Sequence, residues 1–158
     1  MYLTYDYKER IIKSVTQLLG IYVNVVEEPS NYNSGVTISI HAIDADKCIE
    51  ECTLATFSLS ELPGCCGVVV SHGTWIIAGY RNKGLGTLLA DIKIEIAKYW
   101  GYTIMLCTDI AGNTPQRKIL DSNNWKTIGS FINKRTGNDI NIDVKHLYSG
   151  EITKVINA

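Results

Sequence analysis

The chain has 158 residues, 46% of them apolar, enough for one compact core and too few for two, so residues 1–158 read as a single domain. A formal charge of −1, no broad basic and aromatic surface, and no apolar run of membrane-spanning length argue against nucleic-acid and membrane partners. Five cysteines, an odd number, in a chain that opens on the polar stretch MYLTYDYKER imply reduced thiols and a cytoplasmic location rather than a disulfide framework. Charge is unevenly spread: residues 1–79 carry 4 Lys/Arg against 9 Asp/Glu, and residues 80–158 carry 11 against 7. An acidic first half and a basic second half suit a protein that holds an anion with one half and presents the other to cations, or else mark solvated faces that differ by chance.

TYDYKERIIKSVTQLLG predicts a helix, with Asp6 and Glu9 as a capping box, Ile11, Val15, Leu18 and Leu19 on one face and Gly20 at its end. IYVNVVEE, GVTISIHAI and CTLATFSL are rich in β-branched residues and read as strands separated by turn material, PSNYNSG and DADKC. CGVVVSHGTWII is a longer apolar strand in which Gly73 predicts a bulge or a close backbone approach. In the next helix Leu85, Leu88, Leu89, Ile92, Ile96 and Tyr99 repeat at helical spacing, with Asp91, Lys93, Glu95 and Lys98 mostly on the other side and Gly101 as terminator. YTIMLCTDI reads as a buried strand, TPQRKILDS as a short helix with Pro115 in its first turn, and WKTIGSFINK with DINIDVKHL as a hairpin around RTGN. The order predicts an α/β (α+β) domain on a mixed sheet.

The segment Arg81-Asn82-Lys83-Gly84-Leu85-Gly86-Thr87 joins a strand to a long helix. The first amides of that helix are left unpaired, and glycines at 84 and 86 permit positive φ and close approach of a ligand. Converging amides at the positive end of a helix make a seat for a phosphate or pyrophosphate, and Arg81 and Lys83 add charge there. It is not a Walker loop, which needs Gly-Lys-Ser/Thr where Leu-Gly-Thr stands. Nor is it a dinucleotide fingerprint, which needs three glycines.

In this context WIIAGYRNKGLGTLL resembles the central strand and the Arg/Gln-x-x-Gly-x-Gly/Ala loop of the GNAT superfamily of acyl-CoA N-acyltransferases. LCTDIAGNTPQRKILDSNNW resembles that family's next strand, asparagine and helix. The likeness spans about residues 66–134 and implies a GNAT-like mixed, mostly antiparallel sheet flanked by helices. It also implies that the protein uses acetyl-CoA to acetylate a primary amine of a small molecule, a protein lysine or an N-terminus. By the same resemblance, backbone groups of Trp75 and Ile76 pair with the pantetheine arm of coenzyme A, amides of Arg81, Asn82, Lys83, Gly84, Leu85, Gly86 and Thr87 hold its pyrophosphate, and Asn113 orients the pantetheine. Three positions depart from the family pattern. Ala78 stands for a common proline, Asn124-Trp125 for a Gly-Phe pair, and Leu120 for the tyrosine that protonates the departing thiolate.

The reaction the resemblance implies needs an acceptor amine, pKa about 10.4 if lysine-like, to lose its proton before it attacks the thioester. A backbone N–H of the central strand would steady the oxyanion. His72, nine residues before Arg81, is the first candidate base, with a packed or surface histidine as its alternative; Asp109 is the second, with a cap or turn role as its alternative. A thiol pKa of about 8.5 also lets the thiolate leave without a protein acid. Cys48, Cys52, Cys65 and Cys66 fit no common zinc spacing and read as ordinary thiols, so no metal is expected. Lys134 and Arg135 read as a solvated hairpin tip or an acceptor contact. Glu27, Glu28, Asp44, Asp46, Glu50, Glu51 and Glu61 would suit a cationic acceptor. A coenzyme-binding interaction module without turnover is the alternative to an enzyme, and the strand-rich carboxyl terminus offers an edge for homodimer pairing.

Overall fold

The computed structural model describes residues 2–30, 35–44 and 49–148, and only the backbone of residues 44 and 49–51. Most of the two turn stretches PSNYNSG and DADKC, including Asp46 and Cys48, lies outside the described residues, as do the side chains of Asp44, Glu50 and Glu51. The elements in chain order are α1 (Tyr5–Leu19), β1 (Val23–Pro29), β2 (Gly35–Asp44), β3 (Ile49–Glu61), β4 (Val68–Ile76), α2 (Leu85–Tyr99), β5 (Ile104–Ile110), α3 (Thr114–Ser122), β6 (Lys126–Ile132) and β7 (Asp139–His146). The strands form one sheet in the order β1-β2-β3-β4-β5-β7-β6, antiparallel throughout except for β4 and β5.

The α/β class, the element order and the terminal hairpin are as the sequence predicts. α1 begins two residues earlier than its capping-box reading: Thr4 is the N-cap, in extended conformation, and Asp6 lies inside the first turn. Gly20 ends the helix in the left-handed region at φ 70°, its N–H bonded to Thr16 O at 2.8 Å. Gly101, at φ 81°, turns the chain after α2 in the same way. Burial of α2 departs from its predicted face, since Lys93 and Ile94 are buried and Tyr99 is 47% exposed.

The connections β4-α2-β5 and β5-α3-β6 both advance in the same direction across the sheet, so right-handed crossovers put α2 and α3 on one face. α1 packs there as well, through the Tyr7–Tyr99 ring pair (centroids 4.4 Å apart) and the Arg10–Glu95 ion pair at 3.0 Å. The core fills this layer: Ile11 and Val15 of α1, Leu85, Leu89 and Ile96 of α2, and Val36, Ile38, Ile40, Phe57, Leu59, Val69 and Met105 of the sheet are buried. The other face of β2–β4 carries hydroxyls and histidines that satisfy one another, as in Thr37–Ser58 at 2.8 Å, His41–Thr53 at 3.3 Å and Ser60–His72 at 3.0 Å.

Candidate functional site

β4 and β5 are paired only from Val68–Ile104 to Ser71–Cys107. Beyond that point β5 runs on to Ile110 against β7, while β4 runs on to Ile76 against β3, so the two strands part and leave a wedge between them. Gly73 causes the departure. It sits at φ 63° beside a register shift between Thr56 and Ser58, and a bulge of this kind bends the strand that carries it. Trp75 pairs with Thr56 and Ile76 with Ala55. Ile77 N–H donates to Leu54 O at 2.9 Å, so by the alternation of the ladder Ile76 directs its own backbone groups toward the wedge.

After β4 a short 3-10 turn, Ala78–Tyr80, delivers the chain to the glycine segment. Arg81 N–H is spent within that turn, on Ala78 O at 3.2 Å. Asn82 (φ 60°) and Gly84 (φ 82°) then take left-handed conformations, and the first helical bond of α2 runs from Leu88 N–H to Gly84 O at 3.0 Å. Among the described residues no acceptor takes the amides from Asn82 to Thr87, which cluster at the positive end of α2. Arg81 folds back to donate from Nε to Ile76 O at 2.9 Å, and Lys83 Nζ stands 4.8 Å over the Tyr80 ring; both side chains are exposed. The two glycines differ in use. Gly84 supplies the positive φ, whereas Gly86 is helical and allows α2 close to its neighbours: a Cβ there would lie 3.1 Å from Ile119 Cδ1 and 3.6 Å from Ile76 Cδ1.

Asn113 is the N-cap of α3, its Oδ1 accepting from Gln116 N–H at 3.4 Å. It follows β5 directly and stands at the β5 side of the wedge, exposed. His72 is the first residue of β4 beyond the last β4–β5 pair, half-buried, with Nε2 3.0 Å from Ser60 Oγ. Burial lowers its pKa from the ordinary histidine value, so its imidazole is neutral at neutral pH.

Asp109 points the other way, into the helix-covered layer, as part of a buried polar group that composition alone does not reveal. Asp143 of β7, with a side chain 0% exposed, accepts from Arg117 Nη1 at 2.7 Å and from Thr127 Oγ1 at 2.7 Å. Burial, then the neighbouring Asp143, raises the pKa of Asp109. Burial also pushes Asp143 upward, but hydrogen bonds from Arg117, Asp109 and Thr127 outweigh it and hold Asp143 below the usual carboxylate range. Asp109 Oδ1 stands 4.0 Å from Arg117 Nη1, and Asp109 Oδ1 and Asp143 Oδ2 are buried without a hydrogen-bond partner among the described residues. Cys107, paired with Asp143 across the ladder, is buried with a thiol pushed up to about 12.

Lys93 is the site residue that the sequence pattern hides. Its Nζ donates to Thr74 Oγ1 at 3.0 Å, its residue exposure is 8%, and burial brings its pKa down to about 8, with Cys107 of β5 the nearest opposing influence. The signal was present: Lys93 stands four residues after Leu89 and three before Ile96, within the apolar stripe. Of the thiols, Cys52, Cys65 and Cys66 are exposed and unbridged, and Cys48 lies outside the described residues.

No protein-family model matches the chain, and no curated protein does. Solved structures do match. An N-acetyltransferase from Staphylococcus aureus superposes with a TM-score of 0.58 at 17% identity over 72% of this chain and 68% of that one. A GCN5-related N-acetyltransferase from Kribbella flavida gives 0.56 at 20% identity over 74% and 70%. An IAA acetyltransferase from Bacillus cereus gives 0.57 at 14% identity over 88% and 94%. Strand order, the parting of β4 from β5 and these superpositions agree, and the chain has the fold of the GNAT acetyltransferases.

Proposed function

We propose that the chain is an N-acetyltransferase that moves the acetyl group of acetyl-CoA to a primary amine. The observation that carries this reading is an alignment. Uncommitted amides and two cations at the start of α2 lie beside the unpaired stretch of β4, which leads to the parting of β4 from β5. A pyrophosphate fits the first feature and an extended pantetheine arm the second. Amides from Asn82 to Thr87, with Arg81 and Lys83, hold the pyrophosphate; the Arg81 amide is already engaged and contributes through its side chain instead. Ile76 supplies the strand edge through its N–H, its carbonyl already accepting from Arg81 Nε, while the neighbouring Trp75 backbone alternates toward β3; Asn113 meets the arm from the β5 side.

Acetyl-CoA supplies an activated thioester carbonyl. His72 serves as the base that takes the proton of the acceptor ammonium, a role that its neutral imidazole and its position at the start of the wedge support. Asp109 ranks second, because it lies in the helix-covered layer beside Asp143, with Arg117 Nη1 4.0 Å from its Oδ1. The acceptor is a cationic amine, on a small molecule or a protein lysine or N-terminus, drawn by the acidic first half. Among the described residues no helix is long and apolar enough to cross a membrane, and we place the protein in the cytoplasm. The free edge of β6, with Ile128, Phe131 and Ile132 exposed, supports homodimer pairing, which sedimentation of wild type against Phe131→Lys tests.

A second reading, a coenzyme-binding module without turnover, is favoured by one observation. Leu120, where the family resemblance would put the acid tyrosine, is 3% exposed and packed in the core, so position 120 offers no proton donor. Thiol release from acetyl-CoA, recorded against a panel of amines and lysine peptides, separates the two. Turnover supports the enzyme, and tight binding with no release on any acceptor supports the module.

A further inference from the structure

Lys93 is a buried ammonium with one hydrogen-bond partner among the described residues, the Thr74 hydroxyl, and no carboxylate within ion-pair distance. An ammonium carries three donors, and a buried charge left with unmatched donors is costly unless something else occupies them. Its place in the fold says what that is. Thr74 lies on β4 three residues past Ser71, the last to pair with β5, and Cys107 lies on β5 opposite Ser71. The Lys93 side chain therefore rises from α2 to the floor of the wedge, between the two strands just beyond the point where they separate. Lys93 is eight residues beyond Leu85, about 12 Å along the helix axis from the anion-binding start of α2. An extended pantetheine arm leaving that start along β4 covers this distance, which brings its sulfur over the ammonium.

We propose that Lys93 is the proton donor to the departing thiolate of coenzyme A, the acid that position 120 does not provide. The inference rests on the reading of the chain as an acetyl-CoA-dependent transferase. In the step, the acceptor nitrogen bonds to the carbonyl carbon and the carbon–sulfur bond breaks with its electron pair on sulfur. Before the attack His72 takes one proton from the acceptor ammonium and passes it to solvent; sulfur then takes a proton from Lys93 Nζ while the acceptor nitrogen gives its second proton to His72. Lys93 regains a proton and His72 loses one through solvent as the products leave. The balance is acetyl-CoA and an ammonium giving an amide, free coenzyme A thiol and one proton. The groups around Lys93 suit this exchange. Cys107 on β5 is the titratable group that acts on Lys93; Asp109 on β5, Asp143 on β7 and Arg117 on α3 act in turn on Cys107, and Asp143 is committed to Arg117. A lysine brought down to about 8 by burial is matched to a thiol of about 8.5.

The test needs no acceptor. Free coenzyme A is bound to wild type and to Lys93→Met, and ionisation of its thiol is followed by thiolate ultraviolet absorbance across pH. Desulfo-coenzyme A, which has no sulfur, serves as the control ligand. Methionine keeps the length of the side chain and removes the buried charge, a change buried cores tolerate; Lys93→Gln is read in the same way if the methionine variant fails to fold. The expected result is a bound thiol that ionises about one to three units lower on wild type than on the variant, with equal affinity of both proteins for desulfo-coenzyme A. Equal thiol ionisation on the two proteins overturns the role of Lys93 and leaves the coenzyme site standing. Failure of wild type to bind either ligand overturns the transferase reading and this role with it.

Discussion

The two glycines of the turn that opens α2 make a paired prediction because the structure gives them different duties. Gly84 holds φ at 82°, and a Cβ added there meets only the Leu18 side chain, at an ordinary 3.5 Å from Cδ1. Replacement by alanine is therefore a test of backbone conformation rather than of space, and the left-handed geometry costs about 1–2 kcal/mol for a residue with a Cβ. At Gly86 the backbone is helical and alanine gains about 1 kcal/mol of helix propensity. Against that, its Cβ would come within 3.1 Å of Ile119 Cδ1, the far end of a flexible side chain. Turning that side chain costs about 0.5–1.5 kcal/mol, so the two effects nearly cancel. For a chain of this size 1 kcal/mol moves the melting midpoint by about 2–4 °C. Gly84→Ala is expected to melt about 2–8 °C below wild type, and Gly86→Ala within about 2 °C of it. Thermal denaturation followed by circular dichroism reads both. A Gly86→Ala protein less stable than Gly84→Ala would refute the assignment of duties.

Further expectations follow from the buried polar groups. Lys93 ionises at about 8 in the fold and at an ordinary 10.5 when unfolded, so the unfolded chain binds more protons between these values and stability from this group rises with pH across that window. Below pH 8 the burial penalty is about 3 kcal/mol; allowing about 1 kcal/mol for the Thr74 hydrogen bond, Lys93→Met is about 2 kcal/mol more stable than wild type at pH 7. Urea denaturation should show that advantage shrinking toward pH 10.5, and a variant less stable at pH 7 contradicts the argument. Asp143→Ala leaves the Arg117 cation without its fully buried partner and costs about 3 kcal/mol, read as a lowered urea midpoint; a loss under about 1 kcal/mol would show the pair to be idle. The lowered pKa of His72 makes the unfolded chain the stronger proton binder just below pH 6.5. Stability therefore falls as pH drops through that range, and His72→Gln should flatten the slope. In turnover, the same substitution should lower the rate with acetyl-CoA affinity unchanged.

What could be read in the sequence was local. Gly20, Gly73, Gly84 and Gly101 announce a cap, a bulge, a helix entry and a terminator through chemistry confined to a few residues, and each has the positive φ that its role demands. The wedge was legible at one remove, from Gly73 and the strand-to-helix turn. The buried polar group was not. Arg117, Thr127 and Asp143 are scattered over three elements, and their meeting depends on β7 inserting between β5 and β6, a topological fact with no local signature. Lys93 misled in another way, since a lysine in an amphipathic helix is assigned to solvent by default although its spacing from Leu89 sets it on the core stripe. For Gly86 the sequence predicts positive φ and close approach of a ligand, as for Gly84; its tight contact is instead with Ile119, more than thirty residues away, and a close approach between distant elements leaves no mark nearby.

The account turns on the start of α2 being a coenzyme seat. Calorimetric titration of acetyl-CoA into wild type and into Gly84→Glu, with the fold of the variant checked by circular dichroism, examines that directly. Saturable one-to-one binding to wild type and its loss in a folded Gly84→Glu protein is the predicted result. No binding to wild type, or undiminished binding to the variant, would contradict it.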